Sequence, residues 1–131
     1  MIYLWVFLGS ALGGVTRYWV SSAVARGIGE TFPWGTVIVN ISGSFLVAFF
    51  GTLTAPQGSF PVSPDVRTFV MVGFCGGYTT VSSFALQTLN LARDSEWRWA
   101  AANILISIVL CLTAAWLGFV AGVVANHAGS G

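Results

Sequence analysis

Charged and prolyl positions cut the chain into four long apolar runs. The polar breaks fall at residues 26–32, at 55–66 with Pro56, Pro61 and Pro64, and at 93–98. The first run carries one charge, Arg17. No charge lies between Glu30 and Asp65, residues 68–92 are uncharged, and the last run ends at Asn126 with His127 beyond it. A helix needs about 20 apolar residues to cross roughly 30 Å of hydrocarbon. The pattern therefore predicts spans at about residues 2–25, 34–54, 67–92 and 98–126. A closed barrel, the other way to satisfy backbone groups in lipid, needs a period-two alternation that these runs lack. The prediction is an all-α integral membrane protein of four helices, one transmembrane domain over residues 1–131.

Composition agrees and removes competitors. Charged residues are 7% of the chain and mean hydropathy is +0.83, whereas a soluble domain carries about 25% charged residues. A soluble enzyme is excluded on that ground. Net charge +1 with five scattered arginines offers no basic patch for nucleic acid, and disorder requires low hydrophobicity. Residues 1–8 lack the basic cluster of a signal peptide, so the first run is expected to stay as a helix. Cys75 and Cys111 fall inside spans and read as small apolar packing residues. Four spans put both termini on one side. Arg26, Arg93 and Arg98 then face Arg67 across the membrane, a weak bias under the positive-inside rule. A chain so weakly oriented can insert both ways, which permits an antiparallel homodimer; a single fixed orientation set by that small bias is the alternative.

Catalytic chemistry is hard to build from what is left. Glu30, Asp65, Asp94 and Glu96 all fall in loops or at span ends, and no His/Cys/Asp group has metal-ligand spacing. Arg17 is the ionisable group inside a span. It either snorkels to the interface or caps carbonyls and draws anions inward, so a charged solute would be an anion. Thr36, Asn40 and Ser44 recur every four residues, as do Asn103 and Ser107, which places each set on one helical face. Such residues either hydrogen-bond between helices or line a pathway. The third run holds Gly73-Phe74-Cys75-Gly76-Gly77-Tyr78-Thr79-Thr80-Val81-Ser82-Ser83-Phe84. Glycine loosens the backbone there and hydroxyls compete for its hydrogen bonds, so this helix is expected to break at mid-membrane. The pairs Gly9/Gly13, Gly73/Gly77 and Gly118/Gly122 also fit close helix packing. Gly77, Val81 and Phe84 share a stripe, and an aromatic ring presents an electropositive edge to an anion.

The segments Gly13-Gly14-Val15-Thr16-Arg17-Tyr18, Gly35-Thr36-Val37-Ile38-Val39-Asn40 with Gly43-Ser44-Phe45, and Gly73-Phe74-Cys75-Gly76-Gly77-Tyr78-Thr79-Thr80 together resemble the CrcB/Fluc fluoride channels. The resemblance covers three of the four helices in order. It implies a bacterial inner-membrane, dual-topology homodimer with two antiparallel pores that lets fluoride leave the cytoplasm. It also implies a structural Na+ at the dimer centre, held by backbone carbonyls of Gly76 and Thr79 from each subunit. Asn40 would donate to fluoride and orient the pore aromatics, and Phe84 would offer its ring edge. Arg17 would match the family arginine of the first helix. Thr80, Ser83, Asn103 and Ser107 would complete the polar pathway.

Two positions depart from the pattern. Val81 stands where the family reads phenylalanine, and Asn103 where a tyrosine is expected. Valine lacks an electropositive edge, so an intact fold with weakened conduction is expected. A small multidrug-resistance-type transporter would also have four helices, but that class uses a glutamate in its first helix, where this chain has Arg17 and no acid. A non-transporting membrane subunit, with asparagines and glycines serving as helix glue, is the third reading.

Overall fold

A computed structural model describes residues 1–131 and is helical almost throughout. Helix α1 covers Ile2–Ile28 and α2 covers Trp34–Leu53. The third helical run is composite: α3 (Pro64–Arg67), a π-helical segment (Thr68–Cys75), α4 (Gly76–Tyr78) and α5 (Val81–Arg93). Helix α6 covers Trp97–Ser130. The fold is thus all-α, with four helices when the third is counted once. Three of them, Trp34–Leu53, Pro64–Arg93 and Trp97–Ser130, are long and apolar enough to cross a membrane. Helix α1 has the length, 27 residues, but Ser10, Thr16, Arg17, Ser21 and Ser22 dilute its apolar run. The helices overrun the predicted spans at several ends. Helix α1 continues to Ile28 and α6 to Ser130, because helical hydrogen bonding does not stop where the apolar run does.

Glycine sets the helix crossings. Helix α1 packs on the third run where Gly9 and Gly13 meet Gly73 and Gly77. A methyl on Gly9 would lie 2.5 Å from Phe69 O, and one on Gly77 2.5 Å from Ser10 O. Helix α6 crosses α2 in the same way: Gly118 lies against the Phe45 backbone, and a methyl on Gly122 would fall 2.7 Å from Thr52 Cβ. Lipid gives apolar helices no hydrophobic drive to associate, so close backbone approach through small residues supplies the contact.

Both ends are fastened. Where α1, α2, α5 and α6 meet, the buried Phe32 ring lies 4.7 Å from Trp34 and 5.8 Å from Trp99. At the other end, Arg67 Nη1 donates to Thr54 Oγ1 (2.6 Å) and Gly51 O (3.2 Å). Asn126 Nδ2 donates to Thr52 O at 2.9 Å, and Ser59 N–H donates to Asn126 Oδ1 at 3.0 Å. These side chains satisfy carbonyls in the last turn of α2, which have no helical donors. Only 18 of the 131 residues are buried. Large apolar side chains such as Phe7, Trp19, Leu112 and Trp116 stand exposed, so the chain's outer face requires lipid or protein rather than water. This is a multi-pass membrane protein.

Candidate functional site

The expected break is present, and threonines form it. Thr79 (φ −78°, ψ 158°) and Thr80 (φ −153°, ψ 118°) are both extended. Thr79 closes α4, its Oγ1 donating to Cys75 O at 2.9 Å. Thr80 opens α5 as its N-cap, its Oγ1 accepting from Ser83 N–H at 3.1 Å; threonine is well suited to that position. Asn40 of α2 pairs with the Thr80 backbone on both sides. Its Oδ1 accepts the Thr80 N–H at 2.8 Å and its Nδ2 donates to Thr80 O at 3.0 Å. One amide side chain thus replaces the helical partners lost at the break. The break does not arise from glycine looseness, since no glycine here has a positive φ. Gly73 and Gly77 serve the crossing with α1, and Gly43 of α2 leaves room for the Thr79 methyl. Tyr78 fixes the turn before the break, its hydroxyl 2.8 Å from Ser42 Oγ.

Two cavities lie along the same stripe. A polar one of about 470 Å³ sits at the end where α1 meets α2, lined by Ser21, Ser22, Thr36, Gln87 and Asn90, with Glu30 and Asp94 also on its wall. A second, of about 530 Å³, lies at the break. Successive positions on α2 run from the first (Thr36) into the second (Asn40, Ser44), and on α5 from Gln87 to Phe84 and Val81. The two elements thus present their residues in the same order, from a polar vestibule to a mid-membrane cavity with an aromatic wall.

Seven of the ten residues singled out from the sequence share this second cavity. Asn40, Thr80, Phe84 and Ser107 line it, together with Val81, Gly76 and Thr79. Val81 is 77% exposed at its edge. Ser107 Oγ is buried without a hydrogen-bond partner, a donor and acceptor left free beside the cavity. Three residues stand apart. Asn103, 1% exposed, donates from Nδ2 to Thr88 Oγ1 at 2.8 Å and ties α6 to α5. Ser83 gives its backbone N–H to the Thr80 cap. Arg17 Nη1 reaches Thr79 O at 3.5 Å, so it approaches a break carbonyl rather than snorkelling away. Sequence reasoning missed Cys111 as a cavity residue, although it stands one turn beyond Ser107 on the same face. It also missed Thr88, whose signal exists only in three dimensions.

The carbonyls expected to hold Na+ fit that use. In an unbroken helix the Thr80 N–H would donate to Gly76 O; here it donates to Asn40. The extended ψ of Thr79 turns its own carbonyl out of the helical ladder. Gly76 O is thereby freed, and a neutral backbone oxygen suits a hard monovalent cation; Thr79 O already accepts from Arg17 Nη1 at 3.5 Å, so it has one lone pair left for an ion. A methyl on Gly76 would meet nothing within 4 Å, which leaves room for a second copy to bring further oxygens.

The profile of the family described as "CrcB-like protein, Camphor Resistance (CrcB)" matches residues 4–119. The chain is similar to the "Fluoride-specific ion channel FluC" of Methylocella silvestris, at 56% identity over 97% of this chain and 97% of that protein. It is similar to the proteins of the same name from Rhodospirillum rubrum, at 53% identity over 97% and 98% of the two chains, and from Opitutus terrae, at 55% over 95% of each.

Proposed function

The chain belongs to the CrcB family, and from that premise we propose that it is a fluoride channel of the bacterial inner membrane, acting as an antiparallel, dual-topology homodimer. The observation that carries the reading is the shared order of the α2 and α5 stripes, from the polar vestibule at Thr36 and Gln87 through Asn40 and Phe84 to the break at Thr80 and Val81. A conducting site must replace an ion's hydration shell without holding the ion fast. Hydroxyls, amide N–H groups and a ring edge meet that requirement for a small, strongly hydrated anion, because none of them carries a full charge. Asn40 spends one Nδ2 proton on Thr80 O and keeps the other for fluoride. Ser107 offers a free hydroxyl, and Phe84 its ring edge. In this reading α1 is the fourth span, with Arg17 satisfied by Thr79 O. Two copies meet at the breaks, where Gly76 and Thr79 carbonyls from each would hold a structural Na+. That ion would supply positive charge that locks the two breaks together. Hydrogen fluoride is a weak acid that enters cells neutral and ionises in the cytosol, so a passive anion leak suffices for export.

The test is fluoride efflux from liposomes holding the purified protein, followed with a fluoride electrode, with chloride in parallel. Fluoride release well above chloride release is expected. Val81→Phe restores a second electropositive ring edge beside the path, so it should raise the flux. An unchanged rate in Val81→Phe would remove the role given to this position. Silence in both proteins would overturn the channel reading.

A further inference from the structure

The vestibule at the end where α1 meets α2 carries polar groups that the chain itself leaves unused. Hydroxyls elsewhere on the helices return to their own backbone: Thr16, Ser42, Thr88 and Thr113 each donate to the carbonyl four residues back. On the vestibule wall, the hydroxyls of Ser21, Ser22 and Thr36 have no hydrogen-bond partner in the chain, although Thr36 is only 7% exposed. Gln87 lines the same wall, and its Oε1 is buried without a partner. Two carboxylates, Glu30 before α2 and Asp94 after α5, complete the wall, and no basic side chain stands on it. The cavity thus presents free acceptors from α1, α2 and α5, with two negative charges, to about 470 Å³ of space.

An acceptor-lined, doubly negative space suits a cation whose outer surface is made of donors. No three His, Cys, Asp or Glu side chains come together in the chain, so an ion stripped of its water would lack a charged ligand set here. Mg2+ gives up water reluctantly and holds an octahedral shell. Six waters at roughly 30 Å³ each take about 180 Å³, which the vestibule accommodates. Bridging waters serve nearly as well as direct hydrogen bonds, so the acceptors need only face one cavity, not touch one another. We propose that the vestibule holds a hydrated Mg2+ ion through its water shell. Glu30 and Asp94 balance its charge, and Gln87 Oε1 and the Thr36, Ser21 and Ser22 hydroxyls accept from its waters. The consequence rests on the fluoride reading: bound Mg2+ cancels the two charges that repel an arriving anion, so it speeds fluoride entry at this mouth at low ionic strength. The binding itself does not depend on that reading.

Calorimetry tests the site, with magnesium acetate titrated into the purified full-length protein in detergent at low ionic strength and without fluoride. One Mg2+ per chain is expected, displaced by cobalt(III) hexammine, whose fixed shell of N–H donors does not exchange for protein ligands. Glu30→Gln with Asp94→Asn should weaken binding at least about tenfold, and Gln87→Leu about threefold. Both acids are exposed, so the double variant should keep the wild-type unfolding temperature. Wild-type uptake no greater than that of the double variant would overturn the site. Mg2+ that cobalt(III) hexammine fails to displace would overturn it too, since that ion would be held directly. Undiminished binding in Gln87→Leu would reject the vestibule in favour of a loose surface pair of carboxylates. In liposomes, external Mg2+ should raise the wild-type fluoride flux by about tenfold and leave that of the double variant level. Binding without that rise would overturn the effect on entry. No fluoride flux in any protein, with or without Mg2+, would overturn the channel reading and leave calorimetry alone to decide the site.

Discussion

Asn40 and Thr80 hold one broken turn between them, and their side chains are not interchangeable with near neighbours. Asn40→Ala leaves both a donor and an acceptor of the Thr80 backbone without partners. An unsatisfied buried group costs about 1–3 kcal/mol, so the variant should lose roughly 2–4 kcal/mol of stability in thermal unfolding. Asn40→Asp tests the charge at this position. A carboxylate can still accept the Thr80 N–H, but it cannot donate to Thr80 O, and it sets a negative charge where an anion must pass. The expected outcome is fluoride flux at the liposome background, with a loss of stability at least as large as that of Asn40→Ala, because a carboxylate oxygen would face Thr80 O without a proton between them. Wild-type flux in Asn40→Asp would show that fluoride does not pass this amide.

At the scale of the elements, two adjacent glycines have opposite surroundings. Gly77 is pressed on Ser10 of α1, where a methyl would sit 2.5 Å from a backbone oxygen, whereas Gly76 faces open space. Gly77→Ala must therefore push α1 away, and overpacking of this kind costs about 1–3 kcal/mol. Gly76→Ala should leave the chain's own fold intact and act on assembly, since only a second copy would meet the added methyl. Unfolding temperature and size-exclusion volume, measured for both variants, separate these effects. An equal loss of stability in the two would remove the outward role of Gly76. The same pair marks how much was legible in the sequence. The place of the break could be read, because two threonines offer hydroxyls that compete with the helical ladder. Its cause could not, since a glycine that loosens a backbone and one that admits a neighbouring helix look identical in one dimension. The π-helical segment 68–75 left no signal at all. Long-range partners were equally hidden: Arg17 with Thr79 O, and Asn103 with Thr88, are decided by the crossing angles of whole helices.

For the whole molecule, the sparse charges do two things. Glu30 and Asp94 stand on the wall of the vestibule, where they repel an approaching anion. Screening shortens that field from roughly 30 Å at 0.01 M salt to about 3 Å at 1 M. The double change Glu30→Gln with Asp94→Asn should therefore raise fluoride flux through this mouth at low ionic strength, on the order of tenfold, and leave it unchanged at high salt. The arginines act on insertion instead. Arg26, Arg93 and Arg98 at one end face Arg67 at the other, and orientation follows such cationic bias, so a small added bias should fix it. Gly27 has nothing within 4 Å of a built methyl and Thr31 is exposed, so Gly27→Arg with Thr31→Arg adds charge to the first end without touching the core. Gln57→Arg with Val62→Arg, both at exposed positions, does the same at the other end. If the working unit is an antiparallel pair, either variant alone lacks a partner of opposite orientation and should protect fluoride-challenged cells poorly. The two produced together should restore protection. Terminal reporters active on one side of the membrane give the orientation of each directly. Full protection by one variant, with its termini found on one side only, would exclude the antiparallel dimer and leave a parallel or monomeric path through the same cavity.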